Sequence, residues 1–249
     1  MPRINGNNSS NEGGNNGKGR SVAKAMKGIR LAKRLPHKNK AVDATLSQRP
    51  KLFGGAASST NITSTGSQTY TVPQGVDTLT ITMYGGGAGG GLAASGRGGT
   101  VKGGGGGGGA RLVITLNEVK PGETLTFNVG AGGAKSTSTN GVSSNGGDTT
   151  FSYDGKDYVA GGGEGNRSGS LGIATKDGTG GAGDCDGGST CTATAGNNGT
   201  AYNTGASTTP GGNSLETSDS SGAGAGGIGS NNPSSQNAAD GQNGKVVIS

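Results

Sequence analysis

Val76-Asp-Thr-Leu-Thr-Ile-Thr-Met-Tyr84 runs without a break into Gly85-Gly-Gly-Ala-Gly-Gly-Gly91. The first half alternates apolar residues with threonine, the period of a half-buried strand. The second half has almost no side chain to bury. Glycine loses more backbone freedom on ordering than any other residue, so such a run folds only if dense backbone hydrogen bonding offsets that loss. How a glycine run can follow a strand and still be ordered is the question that decides the fold.

The same alternation recurs on both sides. Of the 25 residues Gly85 to Gly109, 16 are glycine, ending in seven in succession. Beyond them Leu112, Ile114 and Leu116 read as a strand, Lys120-Pro-Gly-Glu123 as a turn, and Leu125, Phe127 and Val129 as the returning strand of a hairpin. Thr149 to Tyr153, the turn Asp154-Gly155, and Lys156 to Ala160 read as a second hairpin. Upstream, Tyr70 and Val72 form a strand that Pro73-Gln-Gly75 turns into the one opening at Val76. Residues 161–243 are again Gly, Ser, Thr and Asn with no convincing strand, and Lys245 to Ile248 closes the chain with one. A structureless insert of that length is unusual in a compact domain, so this block is expected to have a regular form of its own.

Composition agrees. The 249 residues include 58 glycines and only 27% hydrophobic and 3% aromatic residues, against roughly 45–50% apolar in ordinary globular chains. A conventional thick core is not expected. Collagen is excluded, because the glycines fall out of a three-residue register within a few positions. Glycine can nevertheless take the same left-handed, three-residue extended helix. Such helices can hydrogen-bond sideways, since no side chain holds the backbones apart. Packed glycine helices are expected in place of the missing core.

The order of these pieces resembles the glycine-rich domains of phage tail-fibre and adhesin proteins. The likeness rests on Tyr70-Thr-Val-Pro73, Val76–Tyr84 leading into Gly85, Gly109-Ala-Arg-Leu112, Val119-Lys-Pro-Gly122, Phe127-Asn-Val-Gly-Ala-Gly-Gly133, the stretch ending at Phe151, the glycines after Ala160, and Lys245-Val-Val-Ile248. It covers about residues 67–249. The pattern is also similar to the glycine-rich extracellular domain of anaplastic lymphoma kinase, which implies a mainly β fold: a jelly-roll-like antiparallel β-sandwich, like tumour necrosis factor, with inserted polyglycine-II-like segments. The jelly-roll relatives also imply a homotrimer. This sequence departs from that kinase in having few cysteines and neither a kinase domain nor a membrane span, which removes receptor signalling.

Residues 1–53 are of another kind. Up to position 51 they hold 12 Lys or Arg against Glu12 and Asp43, a net +10, so the rest carries about −4 of the total +6. Val22, Ala25, Met26, Ile29 and Ala32 follow helical spacing with Lys24, Lys27, Arg30 and Arg34 opposite, which predicts a basic amphipathic helix over about 21–35, capped by Ser21 and stopped before Pro36. At about 15 residues it is marginal alone in water and is expected to fold on a partner surface. Lys18, Arg20, Lys24, Lys27, Arg30, Lys33, Arg34, Lys38 and Lys40 are the candidate anchor, able to meet capsid protein or, as phosphate contacts, genomic nucleic acid. Residues 54–67 read as a linker and 68–249 as the glycine-rich β-domain, with glycine blocks at 85–109 and 161–243.

Catalytic machinery is not expected. His37, the sole histidine, lies in the arm, so the β-domain lacks a general base of the Ser-His-Asp or Cys-His kind. Asp148, Asp154, Asp157 and Glu164 sit among turn residues. No Gly-x-x-x-x-Gly-Lys-Ser/Thr occurs, two cysteines without a neighbouring histidine make a poor zinc site, and no cofactor is implied. Cys185 and Cys191, in Cys185-Asp-Gly-Gly-Ser-Thr-Cys191, could close a tight disulfide loop or remain thiols. No secretory signal is expected, because the N-terminus has no apolar h-region. The expectation is thus a non-enzymatic virion protein: a bacteriophage spike, fibre or capsid-decoration protein at the particle surface, its arm towards or inside the capsid. It would attach to a host receptor or glycan through loops of the glycine block, with Tyr202 and Asn203 as candidate receptor-facing residues. A capsid protein with a genome-binding arm and a glycine-rich nucleic-acid-binding protein are the alternatives.

Overall fold

The computed structural model describes residues 58–96, 99–101, 103–138, 141–166, 178–186, 190–200, 208–209, 211–216, 222–230 and 238–249. The strands in chain order are β1 (Thr60–Ile62), β2 (Gly66–Thr71), β3 (Thr78–Tyr84), β4 (Ala94–Gly96), β5 (Gly99–Val101), β6 (Arg111–Asn117), β7 (Thr124–Val129), β8 (Thr149–Tyr153), β9 (Lys156–Ala160), β10 (Gly183–Cys185), β11 (Cys191–Thr194), β12 (Thr208–Thr209), β13 (Gly229–Ser230) and β14 (Lys245–Ile248). Two antiparallel five-stranded sheets, β1-β14-β3-β6-β11 and β10-β9-β8-β7-β2, form a sandwich.

Alternation sets which residues face inward. Leu79, Ile81 and Met83 of β3 and Leu112, Ile114 and Leu116 of β6 are buried in register, Ile81 opposite Ile114, and meet Leu125, Phe127, Val129 and Phe151 of the other sheet. Phe127 and Phe151 stack with ring centroids 4.6 Å apart. Each such buried side chain contributes about 1.5–3 kcal/mol. A genuine apolar core therefore exists, thin but continuous, where composition argued against one.

The strand at 112–116 and the strand at 125–129 are not a hairpin. β6 pairs with β3 and β11, β7 with β2 and β8, so the chain changes sheets between them. The break is local. Glu118 takes φ 62° just past β6, and the amide of Val119 donates to Asp77 of a neighbouring turn, so β7 is carried across to the facing sheet. Two inward-facing strands look alike in sequence whether they lie side by side or face to face. The hairpin at Asp154-Gly155 does form, with Tyr153 opposite Lys156. Thr60–Ile62, within the segment read as a linker, pairs with β14, and residues 161–243 supply β10 to β13.

The sandwich has two distinct ends. Tyr84, Val129, Ala160 and Thr194 all run on into glycine-rich segments at one end, the glycine pole. The turns around Gly75, Gly122 and Asp154-Gly155 and the Cys185 to Cys191 connection lie at the other, the turn pole. The described chain reaches β1 from the turn-pole side, since β1 runs antiparallel to β14 and towards the glycine pole.

Candidate functional site

Beyond the glycine pole the chain leaves the sandwich and returns repeatedly. Outgoing runs 85–91, 130–136, 161–166, 195–200 and 222–230 are each followed by a returning run: 103–110, 144–148, 178–182, 211–214 and 238–244. Their hydrogen bonds obey a rule of three. Gly86 and Gly89 donate to Gly147 and Ser144, Gly87 and Gly90 to Gln242 and Ala239, and Ala88 and Gly91 to Gly107 and Gly104, all at 2.8–3.0 Å. A donor direction that repeats every third residue is the signature of the three-residue glycine helix.

The carbonyls serve three further runs. Gly86 accepts from Gly163, Gly87 and Gly90 from Gly133 and Ser136, and Ala88 and Gly91 from Gly227 and Ser230. Run 85–91 thus has six neighbours, antiparallel where it donates. Run 103–110 is surrounded likewise. It donates to runs 222–230, 161–166 and 195–200, and accepts from 85–91, 178–182 and 211–214.

This explains where the glycines must be unbroken. A Cβ at Gly87 would lie 1.9 Å from the carbonyl oxygen of Ala225, and one at Gly107 1.9 Å from that of Thr179. Runs at the periphery need glycine only on their inward sides. Ala131 and Ala134 in one, and Asn145 and Asp148 in another, are exposed at three-residue intervals. The packed glycine helices expected from the sequence are present, and backbone hydrogen bonds satisfy the buried peptide groups that side chains elsewhere would surround.

Side chains close the lattice edges. Asp148 and Asn145 accept the amides of Gly162 and Gly165, and Asn243 and Asp240 those of Gly132 and Lys135, each at 2.8 Å. Asn198 does the same for Gly180. At the base, Glu216 bonds Lys245 and accepts the amide of Ala223 at 2.9 Å. Burial alone would raise the Glu216 pKa, but the hydrogen bonds and charge of Lys245 and the Ala223 amide outweigh it and hold the carboxyl below its usual range.

The sequence candidates fall in different places. Cys185 ends β10 and Cys191 opens β11, and they are disulfide-bonded with Cα atoms 6.1 Å apart, tying an edge strand of one sheet to an edge strand of the other. Asp148 is a lattice cap. Asp157 accepts a hydrogen bond from Ser152 at 2.6 Å, Glu164 one from Thr179, and Asp154 occupies the hairpin turn with φ 51°. Tyr202 and Asn203 lie outside the described residues, within the connection from Thr200 to Thr208. The arm residues Lys18, Arg20, Lys24, Lys27, Arg30, Lys33, Arg34, Lys38 and Lys40, with the expected helix, also lie outside them. Sequence reading missed the Asn and Asp caps, although their spacing, Asn145/Asp148 and Asp240/Asn243, repeats the three-residue period. Among the described residues no group of His, Cys, Asp and Glu is placed to hold a metal ion, and no helix is long and apolar enough to cross a membrane.

The glycine-rich domain family model matches residues 62–249, from the end of β1 through the whole sandwich and lattice. The chain belongs to the glycine-rich domain family. No curated protein matches it. In this glycine-rich domain the matched segment coincides with the two-part architecture, so strands and glycine runs form one unit with a sandwich base and a lattice above it.

Proposed function

We propose that this glycine-rich domain belongs to a virion structural protein, a bacteriophage spike, fibre or capsid-decoration protein, which its basic N-terminal arm anchors and which the lattice displays for host attachment. The supporting observation is polarity. The described chain enters β1 from the turn-pole side, and the outgoing runs leave the sandwich at the opposite end, with run 195–200 preceding Tyr202 and Asn203 in sequence. Attachment sites sit well on connections held by a rigid scaffold, and a lattice with two fully surrounded runs is such a scaffold. The protein acts without enzymatic chemistry in this reading. Its partners are capsid or other virion proteins at the arm, with genomic nucleic acid as a further contact, and a receptor or glycan at the tip. A homotrimer rests on the family resemblance.

Particles labelled at residue 203 and at the N-terminus and viewed by electron microscopy test the reading. Label at 203 is expected outward and the N-terminal label inward, with the full chain, unlike a fragment of residues 52–249, co-sedimenting with particles. If the fragment assembles into closed shells, the capsid alternative replaces display. If the full chain instead binds nucleic acid with a steep salt dependence and no particle retains it, the nucleic-acid-binding alternative does.

A further inference from the structure

At the turn pole a groove of about 500 Å³ opens between the end of β6, the Lys120–Glu123 turn and the β8–β9 hairpin. Asn117, Glu118, Glu123, Ser152, Tyr153 and Asp154 line it, with Leu125 also in its wall. It shares Asn117, Tyr153 and Asp154 with a second hollow of about 200 Å³, walled further by Thr115, Lys156 and Thr190. The larger hollow falls within the volume of small-ligand sites, about 300–1,000 Å³, and the smaller extends it, but its walls are polar where such sites are mostly apolar. We infer that this groove is a saccharide-binding site for a short oligosaccharide without acidic groups, laid across the ring of Tyr153.

Three features select that chemistry. Tyr153 is half-buried and common to both hollows, and its ring is braced from behind by Phe151, 6.1 Å away between centroids. It offers an apolar body with a polar tip, the arrangement that the C–H face and hydroxyls of a sugar ring complement. Polar side chains of short reach stand on both sides. Asn117, Glu118 and Asp154 are exposed, and among the described residues no hydrogen bond or ion pair occupies their side chains. Glu123 uses one oxygen to accept the amide of Lys120 at 3.2 Å and the phenol of Tyr153 at 3.4 Å, which leaves the other for a ligand hydroxyl.

Charge then sets the class. Glu118, Glu123 and Asp154 line the larger hollow against Lys120 alone, so phosphates, uronic acids and sialic acids are repelled, whereas neutral and amino sugars are not. Tyr153 is protonated at physiological pH like any tyrosine, and burial first, then the charge and hydrogen bond of Glu123 and the charge of Asp154, push its pKa further up. That proton is directed at Glu123, so the phenol oxygen is left to accept from a ligand hydroxyl. The hairpin frame is firm: Asp154-Gly155 supplies both positive-φ turn residues, and the strands behind it are paired from Thr149 to Ala160. The site stands apart from the displayed tip, so it and the display reading can fail independently.

Calorimetric titration of the full chain with maltotriose, a glucosamine trisaccharide, a galacturonic acid trisaccharide and a short Lys/Arg peptide decides the matter. The first two are expected to bind and the acidic trimer not. Tyr153→Ala should weaken binding by about tenfold or more, equal to about 1.4 kcal/mol. Tyr153→Phe, which keeps the ring, and Asp154→Asn, which suits the same turn, guard against loss by misfolding. Asp154→Asn should weaken the glucosamine trimer more than maltotriose, and unchanged thermal unfolding shows that the fold is intact. Absence of saccharide binding at millimolar concentration, equal binding of the acidic trimer, binding indifferent to Tyr153→Ala and Asp154→Asn, or capture of the basic peptide where sugars fail would each overturn the assignment.

Discussion

Asp148 accepts the amide proton of Gly162 at 2.8 Å, and the pair marks where the glycine lattice stops. In the interior the same proton would meet a carbonyl of a further run. At the edge a side chain of the adjacent run folds over to take it, and Asn145 repeats the device three residues away for Gly165.

Asp148→Ala and Asp240→Ala should each lower stability by about 1 kcal/mol, the usual net worth of one hydrogen bond, with water replacing part of the loss. Asp148→Asn keeps the accepting oxygen and should cost little. Denaturant unfolding gives the magnitudes. Hydrogen exchange should quicken at Gly162 in the first variant and at Lys135 in the second, and not elsewhere.

Gly87→Ala and Gly107→Ala place a methyl 1.9 Å from a backbone oxygen, where a run cannot yield without breaking several hydrogen bonds. Each should destabilise by at least the upper part of the overpacking range, about 3 kcal/mol. Ala131→Ser, at an exposed peripheral position, should stay within about 0.5 kcal/mol. Melting temperatures of the three variants check the contrast, and equal losses would refute the distinction between surrounded and peripheral runs.

Which of these features can be read in the sequence depends on their range. The β8–β9 hairpin was legible because Asp154-Gly155 encodes its own turn, and the β14 strand because Lys245 to Ile248 is an isolated apolar run. The crossing from β6 to β7 was not, since alternation at Leu112 and at Phe127 gives each strand an inward face without saying which strand lies beside it. β10 and β11 each span at most four residues and have little burial, so their pairing partners, not their composition, make them strands. The unbroken glycines of 85–87 and 103–109 did announce close backbone approach. The six neighbours of each run come from segments up to about 150 positions away, as with Gly87 and Gln242, and no local pattern reports them. The arm and the Tyr202 segment rest on composition and resemblance alone and lie outside the described residues, while the Tyr153 groove arises only when β6 and β8 are brought together from opposite sheets.

Reduction of the Cys185–Cys191 bond should cost about 2 kcal/mol, the lower part of the range for a native disulfide because the loop it closes is short. The effect should be confined. β10 and β11 are edge strands, so exchange protection is expected to fall at Thr192 to Thr194 and Asp184 while Ile81 and Ile114 keep theirs. Cys185→Ser with Cys191→Ser should reproduce it without reductant.

Glu216 gives the pH dependence. Its folded pKa lies below the unfolded value of about 4.3, so between the two the unfolded chain binds more protons. The stabilisation is complete above the unfolded value and is lost as pH falls through the folded one. Because the pair is partly solvated the effect should be under about 1 kcal/mol. Glu216→Gln should therefore unfold earlier than the parent at pH 7 and indistinguishably from it near pH 2, as monitored by thermal melts across the range.

The surrounded runs 85–91 and 103–110 have a thermal consequence. Unfolding a side-chain core exposes hydrocarbon and raises the heat capacity, whereas unfolding stacked glycine backbones exposes mainly peptide groups, which lowers it. A domain that is half sandwich and half lattice should have a small heat-capacity increment for its length. Its stability curve is then broad and shallow, so that stability changes little between cold and warm water.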